Sequence, residues 1–74
     1  MRRRTVDDKV FHEVVEWVRD EPKHFRAIHH VYYNSFKNMW ECILGEFHTG
    51  HNRYHGEGIT LEDAFECALK KAQS

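Results

Sequence analysis

A chain of 74 residues holds enough material for one domain and not two. Charged residues make up 31% and aromatic residues 14%, a balance that excludes a disordered tail, and no apolar run approaches the ~20 residues that a membrane-spanning helix requires. Net charge is −1 with the histidines neutral. Residues 1–37 carry eight Lys/Arg against six Asp/Glu and residues 38–74 carry three against six. Neither half has the strong basic excess of a dedicated nucleic-acid binder.

A domain of this size buries only a modest core, so a partner chain or a self-association surface is expected. The start, Met-Arg-Arg-Arg-Thr-Val, has charge but no apolar segment behind it. A signal peptide is therefore not expected, and a cytoplasmic location is the default. Cys42 and Cys67 stand far apart and each falls in an apolar pattern. They read as small buried hydrophobes in a reducing compartment, ahead of a disulfide or a thiolate nucleophile.

In chain order, Arg2, Arg3 and Arg4 form a short basic arm over residues 1–4 of an otherwise single domain. Thr5 is the expected N-cap of a first helix, with Asp7 and Asp8 at the positive end of its dipole. Val6, Val10, Phe11, Val14, Trp17 and Val18 mark an apolar face, and Pro22 ends the helix near Asp20. Arg26 to Asn34 alternates as a strand, with Ile28, His30 and Tyr32 expected on one side and His29, Val31 and Tyr33 on the other. Asn34 to Asn38 supplies a polar turn. Met39 to His48 is the second strand, with Trp40, Cys42 and Leu44 on one side and Met39, Ile43 and Phe47 on the other. Gly45 reads as a bulge or as a bend that accepts a close neighbour.

Thr49 to Asn52 reads as a turn, and Arg53-Tyr54-His55 as a short third strand. The ending from Gly56 to Ala72 is the best-defined stretch: a two-glycine turn, then a capped amphipathic helix. Thr60 is placed to accept from the Asp63 amide. Leu61, Ala64, Phe65, Ala68, Leu69 and Ala72 fall on one stripe, small enough at the alanines to lie close on a sheet. The expected fold is α+β, order α-β-β-(β)-α, with two helices on one face of a small antiparallel sheet of two or three strands.

The histidine series His48-x2-His51-x3-His55 offers imidazoles that converge on a metal if the turn folds them inward, with Glu46 close by in sequence. Solvated turn histidines are the simpler reading, and no cofactor is expected. Catalysis is not expected either. No motif pairs a cysteine with a histidine base, the carboxylates occur singly on faces read as solvent-facing, and Gly56-x-Gly58 lacks the third glycine and the lysine of a phosphate loop.

The order helix, three strands, helix resembles a double-stranded RNA-binding domain, most visibly at His55-Gly56-Glu57-Gly58-Ile59-Thr60 followed by Ala64 and Ala68. That family places phosphate-contacting lysines at the start of the last helix, where this chain has Leu61-Glu62-Asp63. The resemblance implies the topology and carries no RNA-binding residue. The same glycine-plus-Thr ending also looks like that of small bacteriophage and mobile-element accessory proteins, and of antitoxin partial RNase-H-like domains, which implies a protein whose role is to occupy another protein.

The leading expectation is a non-catalytic module that binds a protein partner or its own copy through a sheet face left open by the helices, with Tyr32, Trp40, Tyr54 and Arg53 as contact residues. One alternative is nucleic-acid binding through Arg2, Arg3, Arg4, Lys23, Arg26 and Lys37 with tyrosines stacking on bases. The other is a metal site at His48, His51 and His55.

Overall fold

The computed structural model describes residues 6–20, 25–47 and 51–74. Their order is α1 (Val6–Arg19), β1 (Phe25–Asn34), β2 (Met39–Phe47), β3 (His51–Gly58) and α2 (Leu61–Gln73). The three strands form one antiparallel sheet in the order β1-β2-β3. This is the α+β architecture expected of the chain, with the third strand present. The Thr5 cap, the basic arm at Arg2 to Arg4, and Pro22 lie outside the described residues.

Both helices pack on one face of the sheet. Val14 and Trp17 of α1, Cys42 and Leu44 of β2, and Ala64, Phe65, Ala68 and Leu69 of α2 form a single buried cluster. Val10, Val18, Ile28, Trp40, Tyr54, Leu61 and Ala72 close around it. Leu44, Val14 and Cys42 are its largest fully buried side chains. Phe11 of the expected stripe stays 44% exposed and meets Phe65 edge-on at 5.9 Å between centroids.

Thr60 caps α2 in extended backbone, its hydroxyl accepting the Asp63 amide at 3.1 Å. Glu62 and Asp63 in the first turn and Lys70 and Lys71 in the last both oppose the helix dipole favourably. Gly56 and Gly58 belong to strand β3, paired with Cys42 and Trp40, and do not form the turn expected of them. Their role is close approach. A Cβ on Gly56 would lie 2.3 Å from the Ala64 carbonyl oxygen and 2.4 Å from the Ala68 amide nitrogen, so the α2 backbone rests directly on the strand. Alanine spacing on the helix and glycine on the strand are two halves of one contact.

The chain meets the alternation expectation on β2 and departs from it on β1. Ile28 pairs with Leu44, but His30 pairs with Ile43, so one extra residue is accommodated between them. This bulge reverses the later half of the strand. Ile28, Val31 and Tyr33 therefore share the helix-side face, opposite Leu44, Cys42 and Trp40, while His30 and Tyr32 point to the other face. Gly45 carries no bulge. Its pairings to Ala27 and Arg53 are continuous, and the Phe47 ring covers it, with the ring edge 2.6 Å from where a Cβ would stand. Strand β3 is longer than expected and begins at His51, so His51 and Asn52 are strand residues and not turn residues.

The β1–β2 hairpin closes through Ser35 to Asn38. Asn34 Oδ1 accepts the amides of Phe36 at 3.0 Å and Lys37 at 3.2 Å, and Asn38 takes the left-handed conformation at φ 57°. At the other end of the sheet, Arg26 ties α1 to the strands. Its Nη1 donates to the Trp17 carbonyl at 2.9 Å, its Nε meets Glu46 at 3.0 Å, and the guanidinium lies 4.5 Å from the Trp17 ring centroid.

Candidate functional site: the open sheet face

No described helix covers the second face of the sheet. Pairing across the strands assigns it Ala27, His30, Tyr32 and Asn34 from β1, Met39, Glu41, Ile43, Gly45 and Phe47 from β2, and Arg53, His55 and Glu57 from β3. Central position alone does not bury a side chain on such a face, yet Glu41 is only 3% exposed. Its neighbours bury it. Tyr32 donates its hydroxyl to Glu41 Oε1 at 2.6 Å, Asn34 Nδ2 donates to Oε2 at 2.8 Å, and His55 Nε2 stands 2.8 Å from Oε1. A carboxylate only accepts, so the His55 tautomer that places its proton on Nε2 fits this contact.

Three donors on one carboxylate outweigh the cost of burying it. Hydrogen bonds from Tyr32, then Asn34, then His55 hold the Glu41 carboxyl down to about 2, against an ordinary value of 4.5. The same bond raises the Tyr32 phenol. Lys37 reaches over from the turn, its Nζ 2.8 Å from Glu57 Oε2 and 3.8 Å from Glu41 Oε2, and the contact with Glu57 raises the lysine's pKa. The result is a polar cluster drawn from all three strands and the hairpin turn, with most of its donors and acceptors used internally.

An aromatic group occupies the opposite end of the face. Phe25 is 67% exposed and its ring lies 5.4 Å from that of Phe47. His29, in the bulge, lies 6.0 Å from Phe47 and 4.5 Å from His30. Partial desolvation by its neighbours first, then the charges on Arg53 and His30, lower the pKa of the exposed His29. Arg53 pairs with Gly45 in the register between these two groups.

Of the contact residues expected from sequence, Tyr32 and Arg53 stand on the open face. Trp40 and Tyr54 stand on the other one and pack against the core. Tyr54 meets Trp17 edge-on at 6.1 Å and donates its hydroxyl to Glu46 at 3.1 Å. Among the nucleic-acid candidates, Arg26 is committed to Glu46 and Trp17, and Lys37 to Glu57; Arg2, Arg3, Arg4 and Lys23 lie outside the described residues. The groove between the ends of α1 and α2 is lined by Glu13, Glu16 and Asp20 together with Arg19, and the first turn of α2 is acidic, so neither surface suits a phosphate backbone.

Of the metal candidates, His48 lies outside the described residues and the His51 side chain is not described. His55 is directed to Glu41. Glu41, His55 and Glu57 do bring three ligand-type atoms within 4.8 Å of one another, but the Lys37 ammonium already pairs with both carboxylates and offsets one of their two charges. Cys42 is sealed in the core, where burial pushes its thiol up to about 12; Cys67 is half-buried, and both are free. A thiol held there is a poor nucleophile.

The sequence reading missed Glu41, because an acid on an alternating strand reads as solvent-facing. The available signal was its place in a central strand between Trp40 and Cys42, flanked by strands that carry Tyr, Asn and His. No described helix is long and apolar enough to cross a membrane. The α-β-β-β-α order agrees with the double-stranded RNA-binding topology. The chain matches no protein-family model, no curated protein and no solved structure.

Proposed function

We propose that this protein is a non-catalytic binding module that docks a protein partner on its open sheet face. The observation that carries the reading is the division of that face. A hydrogen-bonded polar cluster around Glu41 lies at one end, and the exposed Phe25 with Phe47, His29 and His30 lies at the other. Interfaces use this combination of preset polar groups and aromatic anchors. Ordering the polar end within the free chain lowers the entropy lost on docking. The commitment of Arg26 and Lys37 to internal ion pairs supports a protein partner over a nucleic acid.

The finer part of the proposal is that the chain is a bacteriophage or mobile-element accessory protein that binds and modulates a host protein. Its support is the Gly56 to Ala68 ending, which looks like that of such proteins. The test is retention of partners from an extract of the native source on three immobilised proteins: wild type, Arg53→Glu on the open face, and Glu66→Lys on the exposed side of α2. The proposal expects a specific protein held by wild type and Glu66→Lys and lost from Arg53→Glu. Equal retention by all three, or retention of nucleic acid alone, overturns it.

A further inference from the structure

Among the described residues the sheet has two unpaired edges, β1 and β3, and they differ. Along β3, α2 rests on Gly56 and Gly58, the strand carries Arg53 and Glu57, and Lys71 Nζ donates to the His55 carbonyl at 2.7 Å. Charged side chains and a covering helix are the devices by which edges avoid pairing. Beyond Arg26 and the bulge before His30, the β1 edge lacks them. From Ala27 to Phe36 there is no Asp, Glu, Lys or Arg. His29 to Tyr33 are exposed without interruption, which means exposed on both faces of the sheet, with Val31 at 39%, Tyr32 at 44% and Tyr33 at 48%. Val31 and Tyr33 point to the helix side, yet the helices leave them uncovered. Phe36, in the adjoining turn, is 95% exposed.

We infer that the β1 edge pairs antiparallel with the β1 edge of a second copy, joining two sheets into one of six strands. An unpaired edge asks for an extended strand, because only a strand supplies alternating backbone donors and acceptors. The chemistry of the segment favours its own kind. A two-fold axis sets like residues near like, which repels charged strands and leaves an uncharged one unopposed. The bulge between Ile28 and His30 confines regular pairing to the stretch after it. A two-fold at Tyr32 then opposes Val31 to Tyr33 on the helix side, an aromatic against a β-branched residue, with Tyr32 facing its counterpart and His30 facing Asn34 on the open side. The same register carries Phe36 towards the bulge of the second copy, where this most exposed apolar ring finds cover. The two open faces then form one continuous platform.

The edge shares Tyr32 with the open face, but Val31 and Tyr33 stand on the helix side and Arg53 lies on β3, so variants at these positions separate the two tests. Sedimentation equilibrium and light scattering across a dilution series read the mass of wild type, Val31→Lys, Tyr33→Lys and Arg53→Glu, with circular dichroism establishing that each variant is folded. The expected result is a dimer for wild type and Arg53→Glu and a monomer for the two edge variants. A second measurement tests the register. In a Cys67→Ser background, Tyr32→Cys closes an intermolecular disulfide under mild oxidation, since directly opposed residues lie about 4.5–5.5 Å apart at Cα. Tyr33→Cys does not close one. A wild-type monomer at the highest concentration, or a folded Val31→Lys that remains a dimer, overturns the inference. Either result leaves the open-face proposal standing.

Discussion

The Tyr32 hydroxyl donates to the Glu41 carboxylate at 2.6 Å across the β1–β2 pair, and with this contact a face of the sheet that no described helix covers still buries a charge. Neither residue suffices alone. The phenol spans the neighbouring strand only because the bulge before His30 turns Tyr32 to this side. Asn34 and His55 complete the set from the two flanking strands.

Loss of that donor changes the acid stability. Glu41 is held at about 2 when folded against an ordinary 4.5. A group depressed in this way contributes stability that is complete above its unfolded value and is lost as pH falls from there through its folded value. Tyr32→Phe removes the largest cause of the depression. The Glu41 carboxyl then titrates at higher pH in a carbon-detected NMR titration, and acid unfolding followed by circular dichroism moves to higher pH. An unchanged Glu41 titration would show that Asn34 and His55 alone set it.

The backbone contact at Gly56 tolerates no side chain. Gly56→Ala forces a methyl against the Ala64 carbonyl and the Ala68 amide, neither of which swings aside as a flexible side chain does. Overpacking of this kind costs about 1–3 kcal/mol, and more where backbone must shift. Urea denaturation should show a lower midpoint with an unchanged slope.

The core prediction is of the opposite kind. Leu44→Ala empties a fully buried site on the helix-side face of β2 and costs about 2–5 kcal/mol in the same denaturation experiment. For a domain this small that is a large fraction of the total stability.

The two thiols differ in accessibility. Cys42 is enclosed and its thiol is pushed up to about 12, whereas Cys67 is half-buried on α2. A disulfide exchange reagent should modify Cys67 first in the folded protein and reach Cys42 at the rate of unfolding, read by mass spectrometry of the peptides. Equal rates would contradict the burial of Cys42.

Much of the fold was legible in the chain. Thr60, Asp63 and the stripe from Leu61 to Ala72 marked α2, since capping and a 3.6-residue period are local properties. The Asn34 turn was legible for the same reason. The faces of β1 were not, because one inserted residue reverses every later side chain and alternation carries no trace of it. Gly56 and Gly58 read as a turn because glycine usually punctuates; here they make room for a helix backbone, a requirement set by a distant segment. Trp40 and Tyr54 were expected among the contact residues, and which face received them depended on the helices. Glu41 stayed hidden because its burial depends on three partners from two other strands and not on its neighbours in sequence.

The central claim is that the open face is where another protein docks. A photo-crosslinking residue, benzoylphenylalanine, placed at Arg53 on that face or at Glu66 on the exposed side of α2 and irradiated in cells of the native source, tests it most directly. The account predicts a discrete adduct to one protein from position 53 and none from position 66. Adducts from position 66 alone, or the same diffuse adducts from both, would contradict it.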